Sequence, residues 1–323
     1  MPVIYSTALQ SPFWLPNGHF QSIYPSLFRK TPVPYVRERI TTPDNDFLDL
    51  DWLTATKSNH KLVILSHGLE GNSTRQYVTG MANSLSQSGY DVLAWNYRSC
   101  SQEINRQVRF YHSGETTDLQ LVINHALAKG YNDICLMGFS LGGNVTLKYL
   151  GEQAENINPA IKKAVVFSVP MDLGACSTNI GEPQNRLYLW KFLRTLKTKI
   201  KAKSALFPDK IKFESYSQVK NFWDFDHIYT GPIHGFDGAT DYYNRNSAKY
   251  FVDAISIPTL IVNAQNDPLV PYQSLPIAVI ETMSNVTLEL TEEGGHCGFR
   301  PRQVNKNGAY WSEQRALAFL GHC

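Results

Sequence analysis

The stretch from Asp133 to Gly151, Asp-Ile-Cys-Leu-Met-Gly-Phe-Ser-Leu-Gly-Gly-Asn-Val-Thr-Leu-Lys-Tyr-Leu-Gly, decides how the chain is read. Asp133 to Gly138 is a short apolar run of strand length, and Leu141 to Gly151 reads as a helix. Between them lies Gly138-Phe139-Ser140-Leu141-Gly142, a G-x-S-x-G motif followed by Gly143. A serine in a strand-to-helix turn flanked by glycines can be pushed above the edge of a sheet, with a helix N-terminus behind it that favours negative charge.

Outward from this stretch the same rhythm repeats. Lys61 to Ser66 reads as a buried strand, Arg75 to Gln87 as a helix, Asp91 to Asn96 as a strand and Asp118 to Lys129 as a helix. Lys163 to Val169 follows as the next strand. Apolar strands alternating with helices imply a mostly parallel sheet covered on both faces. The alternation stops over residues 170–250, which are aromatic-rich and basic, and resumes with strands at Ile257 to Val262 and Val286 to Leu290 and a helix at Trp311 to Leu320. An insertion of this kind between core strands is read as a helical cap. Ahead of the core, Val36 to Thr41 and Phe47 to Trp52 flank Pro43-Asp44-Asn45-Asp46 as a hairpin. Residues 1–35, rich in Pro, Phe and Tyr, show no sustained periodicity and read as an irregular arm packed over a single domain, 1–323.

The 323 residues are 43% hydrophobic and 18% charged, with a formal net charge of +2. That balance speaks against a bulk nucleic-acid binder. The five cysteines, Cys100, Cys135, Cys176, Cys297 and Cys323, are odd in number, widely spaced and never C-x-x-C. They suggest a reducing compartment without a disulfide framework or zinc site. With no signal-peptide pattern and no long apolar run, a cytoplasmic protein is expected.

A serine hydroxyl needs a general base, and the base needs an acid to orient it. His296, in Glu293-Gly294-Gly295-His296-Cys297-Gly298-Phe299, falls just after the last strand, at the carboxyl edge where open sheets bind ligands. Asp267, in Asn263-Ala264-Gln265-Asn266-Asp267-Pro268, follows the preceding strand, with Asp253 and Glu292 as more distant alternatives. An acyl-transfer intermediate would also need donors for its oxyanion. The backbone N–H of Leu141 is one, and that of Leu69, in Ser66-His67-Gly68-Leu69-Glu70-Gly71, is the other; His67 reads as structural. No metal or cofactor is called for.

These residues carry a resemblance. Trp14 to His19 with Gln21 to Pro25, Asp44 to Trp52, His67 to Gly71, Tyr111 to Thr116, Gly138 to Gly143, His234-Gly235-Phe236 and Gly294 to Phe299 together resemble the YheT-like branch of α/β hydrolases, related to animal α/β-hydrolase-domain lipases. The resemblance implies an α/β-hydrolase fold and a serine hydrolase of carboxylic esters, with Ser140, Asp267 and His296 as its triad. An acyltransferase using the same acyl-enzyme, or a non-catalytic binding protein of this fold, would carry the same motifs. Two positions depart from the branch. Arg98-Ser99-Cys100-Ser101 stands where Arg-Gly-Cys-Ser is usual, and the N-terminal membrane anchor of the animal relatives has no counterpart in these residues.

For Tyr111 to Asp118 the reading is a helix start, capped by Ser113 or Thr116 with Glu115 and Asp118 near the positive end of the dipole; the alternative is a substrate-positioning role for His112. In the cap, Leu189, Leu193, Leu196 and Ile200 recur at helical spacing, with cations on other faces. Residues 191–212 carry eight Lys or Arg against the single acid Asp209. The expected partners are therefore a small-molecule or lipid ester and, through the basic cap, an anionic membrane surface; oligomeric state is not legible.

Overall fold

Leu62-Val63-Ile64-Leu65 shows why the sheet is buried on both sides. Leu62 and Ile64 enter one apolar core, while Val63 and Leu65 enter another, and all four are fully buried. In a strand successive side chains face opposite ways, so a run with no polar member can be stable only between two covering layers.

The structure is a computed structural model, and it describes residues 2–306 and 308–321. Cys323 lies outside them; the other four cysteines are free. The strands are β1 (Val3–Ser6), β2 (Val36–Thr41), β3 (Phe47–Leu53), β4 (Leu62–Ser66), β5 (Asp91–Asn96), β6 (Ile134–Phe139), β7 (Ile161–Phe167), β8 (Thr259–Ala264) and β9 (Val286–Thr291). They form one sheet in the order β1-β9-β8-β7-β6-β4-β5-β3-β2. Pairing is parallel from β1 through β5, whereas β3 and β2 add an antiparallel edge. The chain leaves β4 for β5 on one side and returns to place β6 on the other. That reversal opens a crevice above the carboxyl ends of β4 and β6.

The longer helices that cover the sheet are α2 (Gln76–Gln87), α3 (Thr116–Ala128), α4 (Leu141–Gln153) and α11 (Trp311–Leu320). Leu119, Val122, Ile123 and Val145 from α3 and α4 pack on one face, and Val78, Met81, Leu85 and Leu320 from α2 and α11 on the other. Between β7 and β8 the chain forms α5 (Leu173–Ile180), α6 (Arg186–Leu206), α7 (Phe222–Phe225), α8 (Gly231–His234) and α9 (Gly238–Asn246), and α10 (Ile277–Ile280) precedes β9. A third apolar cluster, including Leu196, Ile200, Phe222 and Phe225, holds the α6–α7 region together. Leu189 and Leu193 pack against it half-buried, so the apolar stripe of α6 faces inward.

The arm is more ordered than its composition suggests. β1 pairs with β9 from Val3↔Leu288 to Ser6↔Thr291, and α1 (Gly18–Phe28) starts at Asn17, whose side chain accepts from the N–H of His19 and Phe20. Apolar periodicity misses α1 because its buried residues are Gly18, Gln21, Ser22 and Pro25, while Phe20, Leu27 and Phe28 face outward.

Candidate active site

Ser140 stands between β6 and α4 with φ 54 and ψ −122, a left-handed-side conformation that an L side chain adopts only under constraint. Its N–H donates to Phe167 O at 2.8 Å, and its carbonyl accepts from Gly143 N at 2.8 Å. The glycines let the turn close. A Cβ on Gly142 would lie 2.3 Å from Ser66 O, and one on Gly138 would lie 2.3 Å from Gly142 O.

The structure brings Ser140, His296 and Asp267 into one chain of contacts. Ser140 Oγ is 2.9 Å from His296 Nε2, and His296 Nδ1 is 2.9 Å from Asp267 Oδ2 and 3.2 Å from Oδ1. One neutral tautomer satisfies both: Nδ1–H donates to the carboxylate, and Nε2 accepts the serine proton. Asp267 is anchored in turn, its Oδ1 accepting from the N–H of Leu269 at 2.8 Å and Val270 at 3.1 Å. Asp253 and Glu292 are both exposed and do not meet His296.

The loop carrying His296 is gripped by α1. Gln21 Oε1 accepts from Gly294 N at 2.8 Å and from Asn266 Nδ2 at 3.0 Å, Asn266 Oδ1 accepts from Gly295 N at 3.0 Å, and Ser22 Oγ accepts from His296 N at 2.7 Å. Ser168, at φ 53 after β7, accepts from Cys297 N at 2.9 Å. None of these positioning residues was expected from the sequence. The Trp14-to-Pro25 motif held Gln21 and Ser22, but nothing local tells that their side chains point inward.

Leu69 follows β4 and Leu141 follows Ser140, on the two sides of the crevice. Neither backbone N–H is taken by an acceptor among the described residues. His67 is structural: its Nδ1 lies 2.8 Å from Gly68 O, its Nε2 accepts from Tyr97 N at 3.2 Å, and burial pushes its pKa down to about 3. Next to Leu69, Glu70 has φ 52. Tyr111 OH accepts from Glu70 N and donates to Glu70 Oε1, both at 2.7 Å, and Lys199 of α6 reaches the same oxygen at 2.5 Å. Burial works against the Lys199 charge, but Cys100 and Glu70 outweigh it and raise its pKa. The loop beside Leu69 is thus tied to a helix 129 residues away.

Three other motifs find structural roles. Arg98, wholly buried, pairs with Asp44, Asp46 and Asp118 at 2.7 to 2.9 Å, joining the β2–β3 turn to α3. Ser99 adopts φ 62, and its Oγ donates to Asn105 Oδ1 at 2.5 Å. That bond accompanies the side chain where glycine is usual. The cap of α3 differs from expectation: Glu115 accepts from Thr117 N at 3.2 Å, whereas Thr116 donates to Glu152 and Ser113 N donates to Tyr242 OH. Glu115 serves because its carboxylate reaches the second helical N–H, while the Thr116 hydroxyl is taken by α4. His112, buried and neutral, lines the inner cavity.

Two hollows meet at Ser140 and His296. An inner cavity is walled by Leu173, Leu196, Phe222, Phe225, Tyr242 and Tyr243, among others. An outer groove, bounded by Leu27 of α1, Leu187 and Trp190 of α6, and Tyr77, runs from the same pair to the surface. Tyr229 packs in the third cluster, and Trp223 stacks on His227 at 4.8 Å; neither lines the inner cavity.

The family described as the alpha/beta hydrolase fold matches residues 61–300. The chain belongs to the α/β-hydrolase family. Within it, YheT of Escherichia coli (strain K12), a protein named as an esterase, is 34% identical over 291 residues, covering 88% of this chain and 84% of the relative. Phospholipase ABHD3 of Homo sapiens is 29% identical over 308 residues, covering 92% of this chain and 75% of the relative. These likenesses place the chain in the YheT-like branch related to the animal lipases. Among solved structures, the esterase Pf2001 of Pyrococcus furiosus aligns with a TM-score of 0.59 at 22% identity, covering 90% of this chain and 91% of the other, a likeness of fold. No helix among the described residues is long and apolar enough to cross a membrane.

Proposed function

We propose that this α/β hydrolase cleaves carboxylic esters through an acyl-enzyme on Ser140. The reading rests on the continuous path from Ser140 Oγ to His296 Nε2 and from His296 Nδ1 to Asp267, both steps at 2.9 Å, at the junction of a cavity and a groove. Relatives named as esterases and phospholipases support the reaction class.

In this mechanism Ser140 Oγ attacks the ester carbonyl carbon as its proton passes to His296 Nε2. Asp267 holds the ring in the required tautomer and stabilises the imidazolium. The tetrahedral oxyanion rests between the N–H groups of Leu69 and Leu141, each contributing about 3 to 4 kcal/mol to the transition state. Collapse expels the alcohol, which takes the proton from His296. Water then attacks the acyl-enzyme by the same route and releases the acid. The helical segment 170–250 acts as a cap, and the chain works as one domain with its N-terminal arm, 1–35, holding the histidine loop.

The surface around the groove supports a lipid ester presented by an anionic membrane. Leu27 of α1 and Leu187 and Trp190 of α6 are exposed and line the groove with Lys191 and Arg75, and Phe20 and Phe28 are exposed on the same helix as Leu27. Free thiols fit residence in the cytoplasm.

The test is hydrolysis of p-nitrophenyl butyrate together with fluorophosphonate labelling. Wild type should do both, and Ser140→Ala should lose labelling and about 10³-fold or more of the rate. Activity that survives Ser140→Ala overturns the reading. Adding an acceptor alcohol and finding the new ester in place of the acid would redirect it to acyl transfer.

A further inference from the structure

Asp226 is a carboxyl group in the wall of the inner cavity, and nothing in the proposed mechanism uses it. It opens a π-helical turn, Asp226–Thr230, a distortion often found at functional sites. Its Oδ1 accepts from Thr230 Oγ1 at 2.6 Å, and its Oδ2 accepts from Tyr243 OH at 2.8 Å. Ser177 Oγ lies 2.9 Å from the same tyrosine oxygen. Because the tyrosine's only proton goes to the carboxylate, Ser177 donates to Tyr243.

Two hydroxyl donors leave each carboxylate oxygen with unused acceptor capacity, and no cation answers its charge. No Lys or Arg lines the cavity, and Asp226 makes no ion pair among the described residues. A carboxylate buried without a cation is costly unless something that enters the cavity supplies the partner. The remaining neighbours narrow what that something is. Phe222, Phe225, Tyr242 and Tyr243 line the same space, and aromatic faces beside a carboxylate attract an organic cation by cation–π and charge together. Burial, offset in part by the two hydroxyls, holds the carboxyl at about 6, which leaves it mostly ionised near neutral pH.

We propose that Asp226 and these aromatic rings form a subsite for an ammonium group carried on the part of the ester that enters the inner cavity. This rests on the reading of Ser140 as nucleophile, and it makes Asp226 a specificity-determining residue. An apolar acyl chain fills the same cavity but leaves the carboxylate unpaired, so the site discriminates between the two.

Two measurements test it. The first compares kcat/KM for p-nitrophenyl hexanoate with its ω-hydroxy and ω-trimethylammonio derivatives. Wild type should favour the trimethylammonio ester by about tenfold or more, and Asp226→Asn, which keeps the shape of the side chain, should lose that preference while still being labelled at Ser140. Equal turnover of the three esters by wild type, a preference for the hydroxy ester alone, or a preference retained in Asp226→Asn overturns the proposal. The second is calorimetric titration with hexyltrimethylammonium, which needs no catalysis. Saturable binding by wild type that is lost in Asp226→Asn supports the subsite even if no ester is cleaved, and absence of binding by wild type overturns it. Should Asp226→Asn fail to fold, a crystal structure of the wild-type complex decides: the nitrogen lies against Asp226, or it lies elsewhere and the assignment falls.

Discussion

At the residue scale, Ser140 and Asp226 are both held in states that the isolated chain would avoid. The positive φ of Ser140 costs on the order of 1–2 kcal/mol, balanced by its backbone bonds to β7 and α4. Asp226 contributes a pH-dependent cost whose sign is definite. Its folded pKa of about 6 lies above the ordinary 3.8, so the unfolded chain gives up its proton first as pH rises. Stability attributable to this group is therefore lost between about pH 4 and pH 6, by about 3 kcal/mol at about 1.4 kcal/mol per unit. Asp226→Asn is accordingly expected to be more stable than wild type by about 1 to 3 kcal/mol at pH 7.5, with the gap closing by pH 4. Urea unfolding at the two pH values measures this, and an equal stability of the two proteins at pH 7.5 would remove the basis for a buried charge. A residue that costs stability where an asparagine would not is the usual mark of a functional site.

At the element scale, α6 does two separate jobs. Its apolar stripe was legible from Leu189, Leu193, Leu196 and Ile200, and it packs as that spacing predicts. Two of its cations were not legible as structural. Lys199 and Lys203 are buried, Lys199 on Glu70 and Lys203 on the carbonyls of Asn105 and Gln107. The Lys199–Glu70 pair holds a strained residue next to Leu69, one of the proposed oxyanion donors. Lys199→Met leaves the Glu70 carboxylate buried without its cation, which costs about 3 to 5 kcal/mol. Its kcat should fall at least tenfold with KM little changed, because the loop contacts the oxyanion more than the bound ester. Affinity for a trifluoromethyl ketone, which mimics the tetrahedral state, should fall in parallel. A variant that only loses thermal stability, with kcat and inhibitor affinity intact, would reduce the pair to a packing contact.

At the scale of the whole molecule, the near-zero net charge conceals an uneven surface. With Lys199 and Lys203 buried, six of the eight cations between residues 191 and 212 remain exposed, and Lys191 among them lines the groove beside Leu27 and Trp190. Apolar side chains near cations suit an anionic interface, where each adjacent Lys or Arg contributes about 1 kcal/mol. Reversing Arg194, Lys197 and Lys201 to Glu is expected to weaken sedimentation with vesicles containing phosphatidylserine by about tenfold or more. Raising the salt should do the same to wild type. Hydrolysis of a water-soluble ester should be unaffected. If the charge-reversed protein binds vesicles as wild type does, the patch is a solvated face.

The sequence by itself determined strands β2 to β9 and the helices that cover the sheet, the turn that carries Ser140, and the neighbourhoods of Asp267 and His296, but not β1. Those features are written in apolar periodicity, in glycines and in short motifs, all of which act over a few residues. What only the tertiary structure decided is how polar side chains are spent. Gln21 reaches a glycine 273 residues away and Lys199 a glutamate 129 away, and both Asp226 and Lys203 turn out to be buried. Hydrophobic patterning reports which faces leave water. It is silent on a buried polar face such as that of α1, because the energy that justifies the burial comes from a hydrogen-bond partner supplied by a distant part of the chain.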